Sequence, residues 1–139
     1  MDAQYYATQN LKLSLSAGYN NAEFQDDLTR PKGTRLPMTP KVNGNLALEY
    51  NFELAGYSGF IRSDYNYVGS YYTDLDEAFS ESGDYGQWNL RAGMEFDQTS
   101  VEIYGNNLTN EDSLVGTSAH VTSWRLPPRL IGMDVSYNF

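Results

Sequence analysis

The chain has 139 residues and no cysteine, and its 9 basic and 18 acidic side chains give a net charge of -9. This length predicts one domain, and the acidic balance argues against a nucleic-acid partner, which needs a basic patch to neutralise phosphates. The lack of cysteine excludes disulfides, zinc–thiolate sites and thiol nucleophiles. The sequence shows no apolar run of about 18 residues, which would predict a membrane helix, and no N-terminal signal segment.

Six segments alternate apolar and polar residues with a period of two, the pattern of β-strands that have one apolar face. No segment shows a convincing helical period, so the sequence predicts an all-β fold. An extension of the third strand through Tyr71 stays open. The predicted strands are Leu11–Asn20, Val42–Phe52, Tyr57–Tyr67, Trp88–Phe96, Val101–Asn106 and Ile131–Phe139.

The connections between these strands alternate in length. Residues 53–56 and 97–100 are short, whereas 25–41, 69–87 and 108–128 are long. Short turns join antiparallel neighbours directly, so the pattern predicts a meander with its long loops at one end. A Greek-key sandwich would not sort its loops in this way.

One face of the predicted sheet is apolar and the other carries all the strand charges. An apolar face without charge, strands of about ten residues and long loops at one end favour a transmembrane β-barrel whose polar face lines a lumen. The predicted lumen charges are Lys12, Glu49, Arg62, Asp64, Arg91, Glu95, Glu102 and Asp134.

Aromatic residues cluster at the strand ends, as they do at the two interfaces of a membrane barrel. The girdle beside the short turns would hold Phe52, Tyr57, Phe96, Tyr137 and Phe139. The girdle beside the long loops would hold Tyr19, Tyr65, Tyr67 and Trp88.

Two other hypotheses fit the alternation. A soluble β-barrel or sandwich that binds a small apolar ligand would turn the apolar face to a protein core. A small complete outer-membrane barrel with a structural or adhesive role would need two more strands, from residues 2–9 and Val115–Val121.

The stretch Val101–Asn110, which contains Asn107-Leu108-Thr109, resembles a segment near the end of TonB-dependent outer-membrane receptors. Pro128–Phe139 is similar to the closing strand of that family, and Leu11–Phe52 resembles two of its earlier strands. The resemblance implies a bacterial outer-membrane receptor that imports a scarce nutrient, such as iron–siderophore, cobalamin or oligosaccharide, by coupling to TonB. It also implies that the outer-membrane assembly machinery reads the outward residues of the last strand, Met133, Val135, Tyr137 and Phe139.

The chain departs from the family in its length. Such transporters have about 22 strands and a plugged lumen, and about eight strands are the practical minimum for closure. We therefore expect residues 1–139 to be the C-terminal part of a receptor barrel, without plug or TonB box and unable to transport alone. TonB would be reached only through the missing N-terminal part. The edges at Leu11–Asn20 and Arg129–Phe139 would each need a neighbouring strand, and outer-membrane lipid would cover the apolar face.

The residues give little support for catalysis, and we expect no cofactor and no metal site. His120 lies in a loop without an oriented partner. The acidic segment 74–77 lacks the glycine and glutamate of a calcium loop. The lumen charges favour an internal ion-pair network over a ligand-contacting wall. Ligand-binding side chains are better sought in the long loops, where the candidates are Tyr71, Tyr72, Trp124 and Arg125.

Overall fold

The computed structural model describes residues 1–25, 32–74, 80–118 and 122–139. Within these ranges the chain is built from β-strands and connecting turns, which confirms the predicted all-β class. No described helix is long and apolar enough to cross a membrane. The strands are β1 (Asp2–Tyr6), β2 (Leu11–Tyr19), β3 (Val42–Leu54), β4 (Tyr57–Val68), β5 (Tyr71–Tyr72), β6 (Glu81–Ser82), β7 (Tyr85–Phe96), β8 (Thr99–Asn106), β9 (Leu114–Ser118), β10 (Thr122–Arg125) and β11 (Leu130–Tyr137).

Seven strands form one antiparallel sheet in the order β1-β2-β3-β4-β7-β8-β11. Strands that follow one another in the meander are therefore hydrogen-bonded neighbours, as the short turns predicted. The sheet does not close, so the chain forms an open segment of a barrel wall.

Strand β1 corrects the prediction that Leu11–Asn20 forms an edge. It pairs with β2 from Asp2↔Ser16 to Tyr6↔Lys12, so β1 itself is the outermost described strand on that side. The small-barrel hypothesis placed an extra strand at residues 2–9, and β1 forms there, although its five residues are too few to give a convincing alternation.

The connections have the predicted arrangement. The turn between β3 and β4 consists of Ala55 and Gly56, whose φ angles of 54° and 85° suit the two-residue turn that matches strand twist. The long connections lie at the opposite end and contain two small sheets, β5–β6 and β9–β10.

These small sheets decide the two predictions left open in the loops. Strand β4 ends at Val68, so Tyr71 belongs to the β5–β6 hairpin and not to an extended third strand. Strand β9 pairs with β10 and not with the main sheet, so it does not supply the extra barrel strand of the small-barrel hypothesis.

The main sheet is a single layer whose two faces differ in chemistry. One row across it joins Leu11, Tyr50, Ile61, Ala92, Ile103 and Met133. The face that carries this row, called the apolar face below, has no described protein layer over it: Ile131 is 72% exposed, Met133 64% and Ile103 56%. The buried hydrophobic residues of the described chain are only Ala47 and Tyr71. The apolar face therefore has no protein core to join within the described residues.

Candidate functional site

The opposite face, called the charged face below, carries all eight predicted lumen charges. The register aligns Lys12, Glu49, Arg62 and Arg91 in one row across four strands. Glu102 and Asp134 lie opposite each other on β8 and β11. Asp64 follows Arg62 by two residues and Glu95 follows Arg91 by four, so both side chains lie on the charged face.

Arg62 is the centre of an ion-pair cluster on the charged face. Its Nη1 donates to Glu49 Oε2 at 3.0 Å on the neighbouring strand. Its Nε and Nη2 donate to the two oxygens of Asp64 at 3.1 and 2.7 Å. The guanidinium thus makes the bidentate contact that gives arginine its strongest carboxylate pairs. The side chain of Arg62 is only 34% exposed, so solvent screens this cluster less than a surface pair.

Arg91 forms a second and weaker pair. Its Nη1 donates to Glu102 Oε1 at 3.2 Å, and its Cζ lies 6.0 Å from the centre of the Tyr104 ring. Arg91 and Glu95 share the face as predicted, but the ion-pair partner of Arg91 is Glu102. Because Glu102 also faces Asp134, this part of the sheet presents two neighbouring carboxylates.

The long loops are tied to one another at the opposite end of the sheet. The Tyr71 hydroxyl donates to the Val115 carbonyl at 2.8 Å, and the Gly83 amide donates to the Leu114 carbonyl at 3.0 Å. The Met38 amide donates to the Tyr72 carbonyl at 2.7 Å. These bonds join three separate connections into one layer, called the loop layer below.

The predicted ligand-binding residues fall into two groups within the loop layer. Tyr71 is only 8% exposed and its hydroxyl is engaged, and burial raises the pKa of that hydroxyl. Trp124 is 52% exposed. Arg125 Nη1 donates to the Asp112 carbonyl at 2.7 Å and is largely open to solvent.

Tyr72 has a partner that the sequence did not reveal. The Arg35 guanidinium lies over its ring, 5.0 Å from Cζ to the ring centre. A guanidinium held over an aromatic ring can bind a negatively charged ligand through its charge or an aromatic ligand by stacking. The two residues are 37 positions apart, so no local motif could have signalled their contact.

Asn107 organises the connection before the last strand. It is 2% exposed and adopts a left-handed φ of 51°. Its Nδ2 donates to the carbonyls of Glu111 and Pro127, both at 2.8 Å, and its Oδ1 accepts from the Glu111 amide at 2.8 Å. The carboxamide therefore joins both ends of the loop that leads into β11, which gives the Asn-Leu-Thr motif a structural role.

Aromatic rings meet at both ends of the apolar face. Tyr57 and Phe96 lie 5.0 Å apart beside the short turns, and Tyr65 and Trp88 lie 6.4 Å apart towards the loop layer. Tyr137 and Phe139 form another contact, at 5.2 Å. These contacts bring together members of each predicted girdle.

His120 and residues 75–77 of the acidic segment lie outside the described residues. Within the described part of the chain, no three histidine or acidic side chains come together as a metal site.

The comparison with protein families decides among the three interpretations of the sheet. A family model described as TonB dependent receptor-like, beta-barrel, matches residues 1–108. The chain belongs to the TonB-dependent receptor family. Members of this family are transporters of the bacterial outer membrane. This result favours the receptor barrel over the soluble sandwich and the small complete barrel.

Solved TonB-dependent receptors share the fold across almost the whole chain. The ferric yersiniabactin uptake receptor FyuA from Yersinia pestis superposes with a TM-score of 0.84 at 15% identity, covering 99% of this chain. The ferric preacinetobactin receptor BauA from Acinetobacter baumannii gives a TM-score of 0.80 at 17% identity, also covering 99% of this chain. A search of curated protein sequences found no match.

The chain spans only 22% of FyuA and 21% of BauA, so it corresponds to about a fifth of such a receptor. The family match ends at Leu108, whereas the structural matches include nearly all of the chain. The resemblance of the closing strand to the TonB-dependent receptors is therefore supported at the level of the fold.

Proposed function

We propose that this chain forms part of the wall of an outer-membrane receptor that imports a ferric siderophore. The observation that carries the proposal is the single-layer sheet with an exposed apolar face that bears no charge and an opposite face that bears all eight predicted lumen charges. In such a wall the apolar face meets lipid and the charged face lines the lumen.

The ferric siderophore class is favoured over cobalamin and oligosaccharides by two arguments. Both solved relatives named above are described as receptors for ferric siderophores. The loop layer also presents a cation on an aromatic ring, Arg35 on Tyr72, and the exposed ring of Trp124, whose neighbour Arg125 lies 3.5 Å from the Asp112 carboxylate. Guanidinium groups suit the oxygen atoms of an anionic chelate.

The seven-stranded sheet does not enclose a lumen by itself, because about eight strands are needed to close even a small barrel. In this proposal the chain acts within a longer receptor polypeptide, and TonB is engaged through another part of that polypeptide. The ion pairs of Arg62 and Arg91 then stiffen the lumen wall and are not the ligand contacts.

A binding measurement on the receptor polypeptide that carries this chain tests the proposal. Ferric siderophores of several chelate types, cobalamin and an oligosaccharide are titrated against the purified receptor, and binding is followed by intrinsic fluorescence. We expect saturable binding of one ferric siderophore and loss of affinity of about tenfold in Arg35→Ala, the value of one charge-assisted hydrogen bond. Tyr19→Ala, which removes an aromatic ring at the same end of the sheet, is the matched control.

Binding of cobalamin or the oligosaccharide instead would contradict the siderophore class but not the receptor role. Equal affinities for the Arg35→Ala and Tyr19→Ala variants would contradict the part assigned to the loop layer.

A further inference from the structure

The apolar face is not flat between β7, β8 and β11. One small residue, Ala92, sits among the larger side chains of Leu90, Ile103 and Ile131, while Leu108 covers Gly105 from the side of the loop layer. The side chains around Ala92 border a depression of about 210 Å³. Side chains there are apolar, which excludes a polar ligand.

A second depression, of about 310 Å³, continues the first towards the short turns. It shares Ala92 and Ile103 with the first and extends to Met94 and Phe96. The two together form a channel along the strands, called the apolar groove below. From Leu90 to Phe96 the groove follows six residue steps of β7, roughly 20 Å at the rise of a strand.

This length identifies a chemical class of occupant. A strand tilted by about 45° advances roughly 14 Å across the bilayer over that distance, close to half of a hydrocarbon core of about 30 Å. One acyl chain of one leaflet has this length.

A cation stands at the end of the groove that faces the loop layer. Arg129 is exposed, and its Nη1 lies 3.5 Å from the Leu108 carbonyl, beside the residue that closes the groove. Its backbone amide donates to Asn110 Oδ1 at 3.0 Å, which holds the residue in place. The other guanidinium nitrogens of Arg129 can donate hydrogen bonds to an anionic group such as a phosphate.

We infer that the apolar groove is a binding site for one acyl chain of a phosphate-bearing membrane lipid, with Arg129 contacting the phosphate. The inference rests on the proposed function, because it requires the apolar face to lie in a membrane. It goes beyond the proposed function because it assigns specific lipid binding to the apolar groove and only general lipid contact to the rest of the apolar face.

Photo-crosslinking tests this inference. The receptor polypeptide that carries this chain is placed in nanodiscs containing phosphatidylglycerol with a diazirine in one acyl chain, and labelled peptides are mapped by mass spectrometry. The same experiment with a phosphatidylcholine analogue removes the net anionic charge. We expect labelling of Ile103–Leu108 to exceed that of the equally outward segment Leu46–Tyr50 several-fold.

Two variants separate the parts of the site. Ala92→Phe fills the groove and should reduce the labelling of Ile103–Leu108 several-fold, whereas Ala17→Phe, which adds the same ring to the apolar face on β2, should not. Arg129→Gln should reduce the preference for the anionic analogue about fivefold, the effect of one cation at a membrane surface. Lys41→Gln, which removes a charge at the same end of the sheet, is its control.

Even labelling of all outward segments, unchanged in Ala92→Phe, would overturn the groove while leaving the membrane position intact. Labelling that avoids the apolar face altogether would overturn the proposed function as well.

Discussion

Replacing Asn107 by alanine should release the loop that leads into the last strand. The substitution removes two donated hydrogen bonds and one accepted bond, all of 2.8 Å, from a side chain that is 2% exposed. At about 1 kcal/mol for each net hydrogen bond, the three bonds contribute about 3 kcal/mol. Alanine at a left-handed φ of 51° adds about 1 kcal/mol of strain.

The loss of about 4 kcal/mol lowers the free energy of opening the loop. The free energy of unfolding the whole sheet is not lowered by this amount, because the lost bonds join the two ends of the same loop. A tenfold change in an equilibrium corresponds to about 1.4 kcal/mol, so amide hydrogen exchange at Glu111 should accelerate by roughly a thousandfold. The assay is hydrogen exchange, read by mass spectrometry over residues 108–129 of the receptor polypeptide under conditions where reclosing is faster than exchange.

Three variants make the reasoning refutable. Asn107→Asp keeps the acceptor but cannot donate to the Glu111 and Pro127 carbonyls, so it should approach the alanine variant. Asn107→Gly loses the same bonds without the backbone strain and should be about 1 kcal/mol milder. Asn106→Ala, whose side chain makes no hydrogen bond among the described residues, is the control. Exchange in Asn107→Ala no faster than in Asn106→Ala would refute the role given to the carboxamide.

Three further predictions concern the ion pairs, the loop layer and the last strand. Arg62→Met should lower the free energy of unfolding by about 1–2 kcal/mol, because Glu49 and Asp64 lose a bidentate partner; Arg91→Met should cost less in the same urea titration, and equal costs would contradict the ranking. Docking of the β5–β6 hairpin should weaken as pH rises above 10.0, the ordinary pKa of tyrosine, because burial raises the pKa of Tyr71 and unfolding then releases its proton more readily; proteolysis of the loop layer measures this, and Tyr71→Phe should reduce the pH dependence. Phe139→Ser should reduce the amount of folded receptor in the outer membrane if the assembly machinery reads the outward residues, whereas Asn138→Ser should not, and equal amounts on heat-modifiability gels would contradict that reading.

Long alternating segments made the main sheet predictable. Strands β2, β3, β4, β7, β8 and β11 each carry enough period-two positions to predict both the strand and the face on which each side chain lies. The charged face followed for the same reason, since a shift of one residue would have turned Arg62 and its partners to the apolar side.

The rest depends on contacts between distant residues. The hairpin strands of the loop layer contain as few as two residues and are held by bonds such as Tyr71 to Val115. The stacking of Arg35 on Tyr72 joins two loops and has no local signature. Asn107 was part of a recognised motif, but its role became visible only once Pro127 was placed beside it.

The central claim is that the apolar face lies against lipid while the charged face lines a lumen. Because the chain contains no cysteine, single cysteines can be introduced along β3 at Asn45, Leu46, Ala47, Leu48, Glu49 and Tyr50 and spin-labelled in the receptor polypeptide reconstituted in bilayers. We predict that accessibility to oxygen, which concentrates in lipid, peaks at residues 46, 48 and 50. Accessibility to a water-soluble nickel complex should peak at 45 and 49, whereas position 47, where Ala47 is only 2% exposed, should be poorly accessible to both probes. Equal accessibility at successive residues, or the nickel complex reaching residues 46, 48 and 50, would contradict the central claim.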